Sequence, residues 1–254
     1  MTKVIAIANQ KGGVAKTTTT SAFAAGLKKR GYRVLAIDLD PQGNLSDSVG
    51  ADMYQSPTVY NLMRQEITAA EAVQHLEPFD IIPSNIMLAS AEQEFNQTGK
   101  EHRIQEAISE IEENYDYILL DTPPSLGILT VNAFTYADEV IIPTTAGIFA
   151  ANGINQLYIT IKNVKKYTNP KISIAGILLT KYNPRSNINK DIRSLTEQLG
   201  AHIQTKVFDT FIRSSVVVEE AQANKSDLYA YNKNSTVAED YETFVEEYLR
   251  GDAN

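Results

Sequence analysis

Two lysines five residues apart, Lys11 and Lys16, bracket the small residues Gly12, Gly13, Val14 and Ala15, and Thr17 and Thr18 follow. Small residues let backbone N–H groups close around an anion, and a helix starting at the end of such a loop adds positive potential. In that arrangement Lys16 reaches the terminal phosphates of a nucleotide and the Thr17 hydroxyl ligates Mg²⁺. Asp38 and Asp40 stand two residues apart before Pro41 and Gly43, and Asp121 precedes Thr122-Pro123-Pro124. Carboxylates at strand ends beside a phosphate loop organise Mg²⁺ and position water. Each piece alone also reads as an ordinary glycine or acidic turn. The two lysines, the paired threonines and the flanking elements together favour phosphate binding.

The elements that must carry these residues are readable. Val4-Ile5-Ala6-Ile7-Ala8 is a short apolar strand, and residues 19–30 form a helix ending in Lys28, Lys29 and Arg30, with Gly31 as the stop. Residues 32–37 give a second strand, and side-chain alternation sends Asp38 and Asp40 out of its end on the same side. Tyr117-Ile118-Leu119-Leu120 is the near-continuous apolar run expected of a central parallel strand, and it delivers Asp121. Further strands are expected at 79–83, 140–143 and 172–179, with a short strand or loop from Lys206. Helices are expected at 58–64 and 68–74, both threonine-capped, and at 85–95, 101–113, 150–166, 187–199 and 237–249. Strands alternating with helices predict an α/β fold: a doubly wound, mainly parallel sheet with helices on both faces, in one domain spanning 1–254.

The 254 residues suffice for one large α/β domain, and 43% hydrophobic with 21% charged residues is ordinary for a globular protein. No apolar run approaches the length of a membrane-spanning helix, and the N-terminus passes straight into a strand, so neither a membrane span nor a signal peptide is expected. The chain has no cysteine, which excludes disulfides, thiolate metal sites and thiol catalysis. Taken whole, a net charge of −8 argues against a nucleic-acid binder. Its distribution is uneven: residues 156–215 hold ten Lys or Arg against three acids, leaving +7 there and −15 elsewhere.

Lys-Gly-Gly-x-Ala-Lys-Thr-Thr, from Lys11 to Thr18, resembles the deviant Walker A loop K-G-G-x-G-K-[ST]-[ST] of the ParA/MinD superfamily. Residues 38–44 resemble its D-x-D-P-Q-x-N switch, and residues 121–127 its D-x-P-P-x-x-G loop. The resemblance to ParA/Soj-type partition ATPases covers essentially the whole chain. It implies ATP and Mg²⁺ as cofactors, weak basal ATP hydrolysis, and a homodimer formed on ATP binding in which Lys11 contacts the partner's nucleotide. It assigns metal roles to Thr17, Asp38 and Asp121 and the water-orienting role to Asp40. Asn183, after a late strand, would read the base. Nonspecific DNA contact would fall to Arg185, Lys190, Arg193, Lys206 and Arg213, although any one of them alone reads as a solvated cation. A ParB-like centromere-binding protein is the implied partner, with a cytoplasmic, nucleoid-associated location and no membrane.

Ala15 departs from the family pattern; it is comfortable if its backbone is right-handed and strained if φ is positive. The chain begins at the nucleotide strand, so the shorter Soj type is expected, without a preceding helix-turn-helix domain or operator-specific autorepression. The nitrogenase iron protein is excluded by the missing cysteines, and an acidic rather than basic final helix argues against membrane binding of the MinD kind. A MinD-like or other positioning ATPase, or a nucleotide-gated binding module with little turnover, stays as the alternative.

Overall fold

The computed structural model of the chain describes residues 1–147 and 150–252. The first half runs β1 (Lys3–Ile7), α1 (Lys16–Lys29), β2 (Val34–Asp38), α2 (Asn44–Ser48), α3 (Val59–Met63), α4 (Ala69–Ala72), β3 (Gln74–His75) and β4 (Asp80–Ile82). A 3₁₀ turn at Ile86–Ser90 then leads into α5 (Ala91–Glu94), and α6 (Arg103–Ile108) follows. The second half runs β5 (Tyr117–Asp121), α7 (Ile128–Tyr136), β6 (Glu139–Thr145), α8 (Ala150–Tyr167), β7 (Ser173–Thr180), α9 (Asn187–His202), β8 (Val207–Phe211), α10 (Val217–Ala223), α11 (Leu228–Asn232) and α12 (Thr236–Asp252).

The strands form one eight-stranded sheet in the order β3-β4-β2-β5-β1-β6-β7-β8. All pairings are parallel except the antiparallel edge pair β3–β4. The fold is therefore the doubly wound α/β sheet expected. Its central strands are buried on both faces, yet their residues still divide by alternation. Val4, Ala6, Leu35, Ile37, Ile118 and Leu120 join the core that includes α7 and α8, and Ile5, Ile7, Ala36 and Leu119 join the one that includes α1 and α12.

α12 shows why the acidic end of the chain is ordered. Val237, Tyr241, Phe244, Val245 and Tyr248 recur at helical spacing and are buried. Phe23 of α1 lies 5.3 Å from the Phe244 ring and 5.0 Å from the Tyr248 ring. The acids have structural partners: Glu242 pairs with Lys29 of α1 and Arg30 just after it, and the Glu247 carboxylate accepts from the Asp209 and Thr210 N–H groups on edge strand β8, at 2.7 and 2.8 Å. That carboxylate covers N–H groups an edge strand otherwise offers to a neighbour.

Two expected helices are shorter than their apolar stripes. Residues 101–113 give only α6 with 3₁₀ turns at Lys100–His102 and Glu112–Asn114, although Ile104, Ile108 and Ile111 are buried as expected. The 85–95 stretch is half 3₁₀. α3 and α4 begin at Thr58 and Thr68, each in a capping box. No helix among the described residues is long and apolar enough to cross a membrane.

Candidate nucleotide site

The loop between β1 and α1 is pinned from several sides. The Asn9 amide, buried, donates to the Pro143 carbonyl at 2.7 Å and its Oδ1 accepts from Lys11 N–H at 2.9 Å. Thr180, at the end of β7, donates to the Val14 carbonyl at 3.0 Å. Gly13 stands at φ 73°, a conformation glycine supplies without strain. Ala15, at the N-cap of α1, is also left-handed, at φ 65° and ψ 32°. The alanine is therefore in the strained of the two conformations it was expected to choose between.

Three groups expected to share chemistry meet at the start of α1. Thr17 Oγ1 donates to Asp121 Oδ2 at 2.7 Å, and Thr20, one turn on, donates to Asp121 Oδ1 at 3.1 Å. Lys16 is buried beside them. Burial pulls its ammonium below the usual lysine range, and the Asp121 and Asp40 charges oppose that. Asp121 is fully buried; burial, then the neighbouring Asp38 charge, pushes its carboxyl up to about 8. Strands β2 and β5 set Asp38 directly across from Asp121.

Asp38 does not face Thr17. Its Oδ2 accepts from Ser46 N and Ser46 Oγ at 2.9 and 2.7 Å, and its Oδ1 from Asp40 N at 3.1 Å. Asp38 and Asp121 are both fully buried with both oxygens used within the protein; they differ in that Asp38 is bonded to the loop after β2, whereas Asp121 is bonded to Thr17, which lines the space in front of the phosphate loop. Burial raises the Asp38 carboxyl to about 6. Asp40 does reach that space, and its Oδ1 accepts from Gln42 N–H at 3.0 Å.

The space is a cleft of about 600 Å³. Its lining includes Gly12, Gly13, Ala15, Lys16, Thr17, Thr18, Asp40 and Pro124, together with Lys181, Ile212, Arg213, Val218 and Gln222. Val14 is buried, and its side chain does not line the cleft. Lys11 is exposed, outside the cleft, with its ammonium near Gly147. Asn183, expected to read a base, is also outside: its Oδ1 accepts from Arg185 N–H at 3.0 Å, closing a turn. Lys181, in left-handed conformation at φ 51°, faces the cleft in its place. A second depression of similar volume lies beyond the Arg213–Asp240 pair and contains none of the phosphate-loop residues.

The five cations expected on one DNA-contacting patch are not gathered. Arg185 and Lys190 are exposed around the start of α9. Arg193 Nε donates to Glu197 at 2.9 Å. Arg213 is clamped to Asp240 of α12 through its own N–H, Nε and Nη2, the last at 2.6 Å, and it also reaches the Thr236 carbonyl. Lys206 precedes β8, at the opposite end of the parallel sheet from Arg185, with its ammonium 5.0 Å from the Phe208 ring centre.

Sequence reasoning missed Thr20, Ser46, Thr180 and Asn9. Thr20 had a usable signal, since a residue four after Lys16 shares its helix face. Asn9 and Thr180 act on distant strands, which spacing alone does not reveal.

The donors around Thr17 are a hydroxyl and a carboxylate, with no grouping of three or more His, Cys, Asp or Glu among the described residues. Such a hard-oxygen pair fits Mg²⁺, which keeps waters and takes its remaining ligands from phosphates, and does not fit a protein-caged transition metal.

A family model described as an AAA domain matches residues 2–174. The chain is 38% identical over 247 residues to the sporulation initiation inhibitor protein Soj of Bacillus subtilis, covering 95% of this chain and 96% of that one. It is 37% identical over 253 residues to the chromosome partitioning protein ParA of Caulobacter vibrioides, covering 97% and 94%. The structure of cobyrinic acid a,c-diamide synthase from Mycobacterium smegmatis, with an ATP analogue and magnesium bound, matches at TM-score 0.87 and 32% identity, covering 100% of this chain and 97% of that one.

Proposed function

The chain belongs to the ParA/Soj-type partition ATPases, within the AAA-domain family, and on that premise we propose that it is an ATP-dependent dimerising switch that grips DNA nonspecifically and lets go on hydrolysis. The observation that carries the reading is the contact of Thr17 with Asp121 beside the buried Lys16, at the mouth of a glycine loop and a helix N-terminus. Bound Mg²⁺ would neutralise phosphate charge. Thr17 and Asp121 are the groups to hold it, directly or through water. The N–H groups from Gly12 to Thr17 donate to phosphate oxygens, and Lys16 offsets the charge that builds on the terminal phosphate. Asp40 orients the attacking water, and Asp38 fixes the backbone of Asp40 for that task.

Lys11, exposed and outside its own cleft, is free to reach the nucleotide of a second copy. Closure of that pair sums two sets of phosphate-contacting cations, which raises DNA affinity through counterion release. A ParB-like protein accelerates hydrolysis and so resets the grip, in a cytoplasmic, nucleoid-associated cycle. Light scattering and DNA co-sedimentation with ATP, ADP or neither test this. With ATP, Asp40→Ala is expected to run as a dimer and pellet with DNA but not turn over, and Lys11→Ala to bind ATP and stay single. A single-subunit mass for Asp40→Ala with ATP, or normal turnover by it, would remove the switch. The strained Ala15 favours one alternative, a nucleotide-gated binding module with little turnover. Steady-state hydrolysis measured with DNA and partner present separates the two.

A further inference from the structure

Four threonines in a row open α1, and their hydroxyls go separate ways. Thr17 donates to Asp121 Oδ2 at 2.7 Å, Thr18 lines the cleft, and Thr19 meets the Tyr241 hydroxyl at 3.1 Å. Thr20 is fully buried, and no step proposed above uses it. Threonine is a poorer helix former than alanine, and a buried hydroxyl is costly unless it is hydrogen-bonded. Alanine would therefore serve the helix better at this position unless the hydroxyl is needed. Its two acceptors are the Lys16 carbonyl one turn back and Asp121 Oδ1, both at 3.1 Å. A hydroxyl carries one proton, so it satisfies one of them at a time. A helix carbonyl already accepts the backbone N–H four residues on. A carboxylate must be ionised to hold a metal, and a bond to a charged acceptor is the stronger one. With a cation present the proton goes to Asp121.

Thr17 and Thr20, three positions apart, share a face of α1 and grip the two oxygens of one carboxylate. The rest of Asp121 is tied as well. Its carbonyl accepts from Leu39 N–H at 2.9 Å, and its partners across the sheet are Ile7 of β1 and Asp38 of β2. The carboxylate therefore cannot turn without breaking one of its two threonine bonds. That constraint discriminates between cations. Mg²⁺ demands a near-ideal octahedron, dehydrates reluctantly and is held by few carboxylate oxygens, with water and phosphate filling the rest. Ca²⁺ takes more oxygens at longer and looser distances, and carboxylates often give it both of theirs. A carboxylate held by two hydroxyls can offer a lone pair from one oxygen but cannot swing both toward a cation.

We propose that Thr20 is a positioning residue that sets the site for Mg²⁺ and against Ca²⁺. Its hydroxyl keeps Asp121 Oδ1 back, so the carboxylate meets a cation at Thr17 through Oδ2 alone. Partners that hold a ligating carboxylate typically change metal affinity by about 10–100-fold when removed. The inference rests on the placement of Mg²⁺ at Thr17 and Asp121 proposed above. It does not rest on dimerisation, DNA or turnover.

The probe is the fluorescence of N-methylanthraniloyl-ADP on the full chain, titrated from EDTA with MgCl₂ or CaCl₂ at one fixed pH. Thr20→Val keeps the size of the side chain and removes the hydroxyl. It is expected to raise the Mg²⁺ midpoint at least tenfold and the Ca²⁺ midpoint at most twofold, so the preference for Mg²⁺ falls at least fivefold. In EDTA its affinity for the labelled ADP should stay within twofold of wild type. Thr20→Ser should restore both midpoints, and Thr20→Ala, which also lacks the hydroxyl, should repeat the valine pattern if Thr20→Val does not fold. Thr196 of α9 makes the same bond to a carbonyl four back, at 2.7 Å to Ile192, outside the cleft, so Thr196→Val should move neither midpoint. The ratio of midpoints is the readout, because a general weakening of the carboxylate moves both together. An unchanged ratio in Thr20→Val overturns the proposal, as does a serine that behaves like valine. Loss of labelled-ADP binding in EDTA by Thr20→Val also overturns it, since the hydroxyl would then be serving the loop through the Lys16 carbonyl. A wild type that binds no labelled ADP overturns this proposal together with the nucleotide site. A wild type that binds it but neither dimerises nor hydrolyses ATP sinks the switch of the preceding section and leaves this one decided.

Discussion

Ala15 holds φ 65° at the N-cap of α1, where its Cβ crowds the following carbonyl. A left-handed L-residue costs roughly 1–2 kcal/mol, and glycine gives back roughly 0.5–1 kcal/mol through its freer unfolded chain. Ala15→Gly is therefore expected to stabilise the nucleotide-free protein by up to about 1 kcal/mol, a rise of about 2–4 °C in melting temperature. An unchanged or lower midpoint would mean the loop is not strained there. Asp121 gives a second prediction. Its carboxyl titrates at about 8 in the folded chain against 3.8 as its ordinary value, and Asp38 is shifted the same way, to about 6. The folded chain thus holds more protons than the unfolded one between those limits, so stability from these groups is present at low pH and lost as pH rises through the window. Thermal unfolding without Mg²⁺ or nucleotide should show Asp121→Asn gaining on wild type by about 3 °C or more between pH 5 and pH 8. The readout is the change in the difference, because Asn also loses an acceptor for Thr17 or Thr20 at every pH. A gap constant with pH would contradict the buried, mutually repelling pair. At this scale the sequence was informative wherever spacing follows an element: Lys16, Thr17 and Asp121 meet as expected. It was silent where a side chain chooses among several partners, as Asp38 chooses Ser46, Arg213 chooses Asp240 and Asn183 closes its own turn.

β7 was legible as a buried strand from its apolar run, but its geometry was not. Its register against β6 slips between Val140 and Ile141, leaving Ala175 as the extra residue beside Gly176. Gly176 is there because the Phe208 ring of β8 lies across it: a Cβ would stand 2.6 Å from Phe208 Cε2. That ring is fully buried and packs edge-on against Phe244 of α12 at 5.0 Å, so it has nowhere to move. Gly176→Ala is expected to cost about 1–3 kcal/mol from overpacking, less the small gain of alanine over glycine in a strand, and to lower the melting temperature by several degrees. Gly176→Ala combined with Phe208→Leu should recover part of the loss, and a melting temperature unmoved by Gly176→Ala would show that the ring yields. The helices were misjudged for a related reason. Ile104, Ile108 and Ile111 share a core face whether the backbone between them is α or 3₁₀. Apolar periodicity fixes which side chains are buried more tightly than which backbone hydrogen bonds form.

In the whole molecule, parallel strands put their C-terminal ends on one edge of the sheet, so Lys16, Asp40, Asp121 and Lys181 meet there although 165 positions separate the first from the last. The same rule divides the basic residues. The excess of +7 in residues 156–215 looks like one patch in sequence, but α9 runs from the cleft edge to the far edge, and its 16 residues span about 24 Å. Arg185 and Lys190 lie at its near end, and Lys206 lies past its far end. Separation of that size exceeds two Debye lengths at physiological salt, so the two groups act independently toward a phosphate backbone. Only the near group shares an edge with the nucleotide, where closure of a dimer would bring two copies into register. Removing one cation from a phosphate should reduce the salt slope of binding by about 0.9. Arg185→Glu with Lys190→Glu, in the ATP-bound Asp40→Ala background, should therefore lower DNA affinity at least tenfold and flatten the plot of log affinity against log salt. Lys206→Glu should leave both within error. If Lys206→Glu weakens binding as much as the double change, the DNA runs along the far edge of the sheet, and nucleotide control of the grip must travel through the body of the protein rather than across the cleft.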